Sequence, residues 1–115
     1  MIVHTYNYYV YLSDTNGYLL DNLKDAVKHI CEDLSLNIVG EAFHDFGNAS
    51  NTSISNSGVY LLSTSHFAWH TFPECGYIHI NLSTCGPFVE PIVFENLIRT
   101  HFNYVTEIKN IPCVL

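Results

Sequence analysis

Apolar positions along the chain fall into two rhythms, and the change from one to the other marks out the elements. Between residues 77 and 83 the rhythm is two-fold: Ile78, Ile80 and Leu82 face one way, and Tyr77, His79, Asn81 and Ser83 the other. This predicts a strand with one face on a core and a polar face left available. Residues 6–12, aromatic and β-branched without a breaker, predict another strand, which the turn chemistry of Asp14-Thr15-Asn16-Gly17 closes. From Leu20 the step changes to three and four. Leu20, Leu23, Val27, Ile30 and Leu34 then share one helical face, with Lys24, Asp25, Lys28, Glu32 and Asp33 on the solvated side.

Further strands are predicted over residues 37–43, 59–62 and 67–70, the last broken by Pro73. A polar surface loop is predicted over 47–57, a second helix from Pro91 to about His101, and a closing strand over 104–108. The order strand, helix, three or four strands, helix, strand predicts an α+β fold. It is a two-layer sandwich, with a mainly antiparallel sheet carrying two helices on one face. No linker or repeat divides residues 1–115, so a single domain is expected.

Composition narrows the partners. The 115 residues carry a formal charge of −7 with only four Lys and Arg, which argues against nucleic acid, whose phosphates need clustered cations. Charged residues make up 13% against 48% hydrophobic, sparse enough to suggest a surface covered by a second copy of the chain, a homodimer. Cys31, Cys75, Cys85 and Cys113 form no CxxC pair or disulfide framework and read as reduced thiols. The N-terminal stretch lacks a basic segment followed by an apolar one, and no apolar run reaches bilayer length. A cytoplasmic chain without a membrane partner is expected.

The chemistry is concentrated in Gly58 to Gly86, GVYLLSTSHFAWHTFPECGYIHINLSTCG, which crowds hydroxyls, imidazoles, a carboxylate and two thiols together. His66, His70, Cys75 and Cys85 are donor types that zinc accepts, but their spacing fits no common structural zinc pattern, and no metal is expected. Cys85 or Ser65 activated by a histidine would make a hydrolase, yet neither a nucleophile elbow nor a papain-like cysteine context is present.

A third reading rests on resemblance. Ser63-Thr64-Ser65-His66, three residues, His70-Thr71-Phe72-Pro73-Glu74, and then Thr84-Cys85-Gly86 reproduce the order S-E-S-H, H-T-aromatic-P-E and T-C-G of the prokaryotic-type, pyruvoyl-dependent S-adenosylmethionine decarboxylases. Phe43-His44-Asp45-Phe46 and Ser57-Gly58-Val59 are similar to that family's F-H-x-F and S-G-V. The resemblance implies that Ser65 attacks the preceding carbonyl to form an ester, which eliminates and hydrolyses. The chain would then be cut between Thr64 and Ser65, and Ser65 would become a covalent pyruvoyl group, the only cofactor. Such a carbonyl is needed because side chains cannot stabilise the carbanion left by CO₂ loss.

By the same resemblance Ser57 steadies the ester and His70 removes the serine α-proton, while Cys85 reprotonates the product. Phe46 and His70 would sandwich adenine, Glu74 would take ribose hydroxyls, and Thr64 would lie near the substrate's ammonium group. His66 is expected to orient the turn. The implied reaction converts S-adenosylmethionine to the aminopropyl donor for spermidine. Three departures stand out: Thr64 replaces the family's glutamate, Asn81 its usual aspartate, and the approach to Ser57 is longer. They leave open a pyruvoyl-dependent ornithine or arginine decarboxylase, or an unprocessed, catalytically weak paralogue that binds an adenosyl ligand.

Overall fold

Strand β1, His4–Leu12, buries every second side chain: Tyr6, Tyr8, Val10 and Leu12 face inward. A computed structural model describes residues 2–47 and 54–111. It continues with α1 (Leu20–Asp33), β2 (Ile38–Asp45), β3 (Asn56–Leu62), β4 (Ser65–Phe72), β5 (Tyr77–Thr84), α2 (Pro91–His101) and β6 (Val105–Asn110). The six strands form one sheet in the order β2-β3-β4-β5-β1-β6. Every neighbouring pair is antiparallel. This is the α+β sandwich that the periodicities predict, with both helices on one face.

The helical stripe does what its spacing implies. Leu20, Leu23, Val27 and Ile30 of α1 are buried, joined by Ala26 and Cys31, and α2 contributes Phe94 and Ile98. Opposite them lie Phe67 and Trp69 of β4 and Ile78, Ile80 and Leu82 of β5. Large apolar side chains of this kind stabilise the fold by roughly 1.5–3 kcal/mol each when fully buried. Among the described residues the sheet's other face carries no helix. Among the described residues no helix is long and apolar enough to cross a membrane.

Element boundaries differ from the sequence expectation where polar residues belong to strands. Asn56 and Ser57, read as the end of a polar loop, open β3, and Ser65 and His66 open β4, which runs on to Phe72. Likewise β2 continues through His44 and Asp45, and the closing strand starts at Val105 and extends to Asn110. The interior of the predicted loop, 48–53, and Cys113 lie outside the described residues.

Asn56 explains why polarity misleads here. It is fully buried, yet both polar atoms of its side chain are paired internally: Nδ2 donates to the Tyr18 carbonyl at 2.8 Å and Oδ1 accepts from the Trp69 indole at 3.1 Å. Its backbone N–H donates to Thr71 Oγ1 at 2.9 Å, and that hydroxyl donates to the Asn56 carbonyl at 3.2 Å. Replacing Asn56 by alanine would leave the indole N–H and the Tyr18 carbonyl buried without partners, each costing about 1–3 kcal/mol. Asn56→Ala should therefore lower the urea midpoint markedly with an unchanged slope; a loss below about 1 kcal/mol would show that water replaces the amide.

Candidate functional site

The hairpin between β3 and β4 has a two-residue connection, Ser63-Thr64, because Leu62 pairs directly with Ser65. The turn Thr84-Cys85-Gly86 at the end of β5 closes over it. The Thr64 carbonyl accepts two hydrogen bonds there, from the Cys85 backbone N–H at 3.0 Å and from the Cys85 thiol at 3.3 Å. Thr84 Oγ1 donates to Thr64 Oγ1 at 2.9 Å and accepts from Gly86 N–H at 3.0 Å. The carbonyl before Ser65 is thus gripped on its oxygen by donors placed to take negative charge.

Ser65 itself sits at φ 152°, a conformation that side chains rarely adopt and that costs roughly 1–3 kcal/mol. Its hydroxyl oxygen lies 3.3 Å from His66 Nδ1. His66 Nε2 in turn lies 2.8 Å from Asn81 Oδ1, and Asn81 Nδ2 donates to Asn7 Oδ1 at 2.8 Å. The sequence left His66 to orient the turn; the structure puts its ring on the Ser65 hydroxyl. The available signal was adjacency in the strand together with the Asn81 register, which the sequence alone does not reveal.

The remaining candidates occupy the other end of the same strands. Ser57 pairs with His70 across β3 and β4, and Ser57 Oγ lies 3.1 Å from His70 Nδ1 while donating to the Trp69 carbonyl at 3.0 Å. Phe46 is 55% exposed, so it is no core aromatic, and its ring centroid lies 5.6 Å from that of His70. The two rings touch each other, whereas a base inserted between them needs about 7 Å, two carbon–carbon contact distances. Glu74 is exposed in the short turn Pro73–Cys75 that follows β4. A shallow cavity of about 330 Å³ lies alongside, lined by His44, Ser57, Val59 and Ala68 among others.

Five positions of β4 separate Ser65 from His70, about 16 Å at roughly 3.3 Å per residue. Ser65, Thr64 and Cys85 therefore meet at one end of the sheet, and Ser57, His70, Phe46 and Glu74 gather at the other. One chain does not bring the two sets together. For the same reason His66, His70, Cys75 and Cys85 do not converge. Among the described residues no group of three or more His, Cys, Asp or Glu is placed to hold a metal.

Between the ends, the uncovered face of the sheet carries Asn7 and Tyr9 of β1, His79 and Asn81 of β5 and Val59 of β3, all only partly exposed. His79 stands directly across from His70, and its pKa is lowered, first by burial and then by that second imidazole.

Comparisons with known proteins bear on this constellation. A profile described as S-adenosylmethionine decarboxylase matches residues 12–109. The chain is 39% identical over 72 residues to the S-adenosylmethionine decarboxylase proenzyme of Shouchella clausii, covering 62% of this chain and 52% of that protein. It is 37% identical over 102 residues to the proenzyme of Clostridium kluyveri, covering 82% and 76% respectively. With Thermosipho melanesiensis it shares 35% over 81 residues, 68% of this chain and 58% of the proenzyme. The matched region thus spans little more than half the length of two of these relatives. The crystal structure of the adenosylmethionine decarboxylase from Aquifex aeolicus VF5 superposes with a TM-score of 0.74 over 96% of this chain and 87% of that one, at 20% identity, which establishes a shared fold.

The lowered His79 value makes a sign-definite expectation. A depressed histidine contributes stability that is complete above the unfolded value near 6.5 and fades as pH falls toward the lower folded one. In an NMR titration His79 should protonate below 6.5. His70→Gln should move it part of the way back up, and a His79 that titrates normally in the wild type would remove the argument.

Proposed function

Because the chain belongs to the S-adenosylmethionine decarboxylase family, its profile matching residues 12–109, we propose that it is a pyruvoyl-dependent S-adenosylmethionine decarboxylase that cuts itself between Thr64 and Ser65. The observation that carries this reading is the grip on the Thr64 carbonyl. Two donors from Cys85 hold its oxygen at 3.0 and 3.3 Å, while the next residue is a strained serine. As Ser65 Oγ attacks that carbonyl, charge develops on an oxygen already facing an N–H, and leaving the strained conformation lowers the barrier further.

The residues at this corner fit the pyruvoyl group that the family implies. That group would arise from Ser65 itself, and it would supply the electron sink for CO₂ loss. The chain's own side chains do the rest. Cys85, half-buried with its thiol at the Thr64 carbonyl, is positioned to return a proton to the product carbon. Phe46, exposed beside His70, stacks on adenine with that imidazole; Glu74 takes the ribose hydroxyls. Thr64, its hydroxyl held by Thr84, replaces a carboxylate near the substrate ammonium and weakens its hold. A cytoplasmic setting suits a Cys85 that must stay a thiol.

The 16 Å gap is what a homodimer resolves. Ser57 and His70 are proposed to assist processing at Ser65, yet in one chain they lie at the opposite end of β4, about 16 Å away at roughly 3.3 Å per residue. Two copies packed through their uncovered sheet faces about a two-fold axis would set one end of each against the other end of its partner, as an isologous interface requires. Each site then takes Ser65, Thr64 and Cys85 from one copy and Ser57, His70, Phe46 and Glu74 from the other.

Intact mass under denaturing conditions tests the first claim. The wild type should give fragments 1–64 and 65–115, Ser65→Ala a single chain, and normal cleavage of Ser65→Ala would overturn the reading. The processed protein should release CO₂ from S-adenosylmethionine; release from ornithine or arginine alone would reassign the substrate, and a single wild-type chain would indicate a binding paralogue.

Mixing tests the shared site. His70→Ala alone should cleave poorly, and its Ser65 should be cut once it is co-folded with Ser65→Ala, which supplies the missing imidazole. No rescue in the mixture would place the whole site in one chain.

A decarboxylating variant separates Cys85's two contributions. Cys85→Ala keeps its backbone N–H, so it should still cleave at least partly, while turnover falls and product protonation becomes faulty. Full turnover to the normal product would move the proton donor elsewhere.

A further inference from the structure

The imidazole of His66 has two neighbours whose chemistry fixes its tautomer. Nε2 lies 2.8 Å from Asn81 Oδ1, an atom that only accepts, so Nε2 carries the hydrogen. Turning the Asn81 amide alone would lose the bond that its Nδ2 donates to Asn7 Oδ1 at 2.8 Å. Ser83 Oγ adds a second donor to Oδ1 at 3.4 Å. A neutral His66 therefore presents a bare lone pair at Nδ1, and that nitrogen stands 3.3 Å from Ser65 Oγ, which must be the donor.

A serine hydroxyl donating to an imidazole whose far nitrogen is held by an acceptor is the arrangement that activates a nucleophile. We propose that His66 is the base for the first step of self-cleavage, oriented by Asn81; this rests on the reading that the chain is processed at Ser65. In that step Ser65 Oγ bonds to the Thr64 carbonyl carbon as its proton passes to Nδ1. The Thr64–Ser65 C–N bond then breaks, the same proton is delivered to the departing Ser65 nitrogen, and an ester and a free amine result. No oxidant, reductant or co-reactant is needed. His70, at the far end of β4, is left for the later removal of the α-proton, so the two imidazoles act on different protons.

The orienting group is a neutral amide, and this sets the pH behaviour. The side chains facing the ring are Ser65 on its own strand, Leu61 across β3, Asn81 and Ser83 on β5, and beyond them Asn7 and Thr5 on β1. None of these carries a charge; Cys85, on the Thr64 carbonyl, is the thiol of the same corner. The imidazolium that forms during attack therefore gains no counter-charge from the residue that holds it. A carboxylate at position 81 would supply one and raise the imidazole's affinity for protons.

The test is the rate of cleavage of freshly synthesised full-length precursor, followed by mass across pH 5 to 9, with circular dichroism as the check on folding. His66→Ala should slow cleavage by about a hundredfold or more, the lower range of general-base effects, and should lose the acid limb of the wild-type profile. His66→Gln, which can still span from Asn81 to Ser65 without acting as a base, should be as slow as His66→Ala and decides the matter if the alanine variant fails to fold. Asn81→Asp should move the acid limb upward by about one pH unit or more. Wild-type rates in folded His66→Gln, or an acid limb unmoved in Asn81→Asp, would overturn the proposal while self-cleavage itself stood. A wild-type chain that never cleaves would overturn both.

Discussion

The register between β3 and β4 is the constraint on which the rest of the molecule depends. Successive residues of a strand face opposite ways, so a slip of β4 by one position would send His66 and His70 into the core and bring Phe67 and Trp69 into solvent. The lock lies at Gly58, which pairs with Trp69 and lies flat against its indole: a Cβ there would stand 2.2 Å from Trp69 Cζ2. Asn56 holds the same indole by its N–H and holds Thr71 through the backbone. A packing contact and a fully paired polar cluster thus specify one pairing, and each fails in any other.

With that register set, the sheet sorts its functional groups by distance along the strands. The hairpin end carries the strained Ser65 and the carbonyl grip. The far end carries the aromatic and carboxylate groups proposed to take a nucleoside. The strain at Ser65 persists because Cys85 and Thr84 over-determine the turn from a neighbouring strand. The helices contribute nothing to either end directly. Their role is to bury one face of the sheet, which leaves the other as the surface proposed for chemistry and association.

For an acidic protein, the working face is notably poor in fixed charge. Imidazoles, amides and hydroxyls line it, Asn81 among them. Burial, and then the neighbouring His70, lower the pKa of His79 and so disfavour a charge on its ring. Glu74 is the one carboxylate among the proposed site residues, and it is exposed. Recognition of a cationic sulfonium substrate would therefore lean on stacking more than on ion pairing.

Much of this was legible in the sequence, for a definite reason. Periodicities of two and of three to four report which face of a strand or helix is buried, so β1, β5 and both helices follow from local spacing. The ordered run from Ser63 to Gly86 likewise carries its resemblance in one continuous stretch. What local spacing misses is pairing between distant residues. Asn56 and Ser57 looked like loop because polarity signals solvent unless a partner is known, and the partners of Asn56 are Tyr18, Trp69 and Thr71. His66 looked like a turn residue because its orienting group is Asn81, fifteen positions on and itself held by Asn7. The separation of the two halves of the site was invisible, since five residues that are near in sequence lie far apart when fully extended. The sequence by itself determined which apolar residues are buried and which chemistry is available. Only the tertiary structure decided which of them meet, because cross-strand neighbours are chosen by register and not by order along the chain.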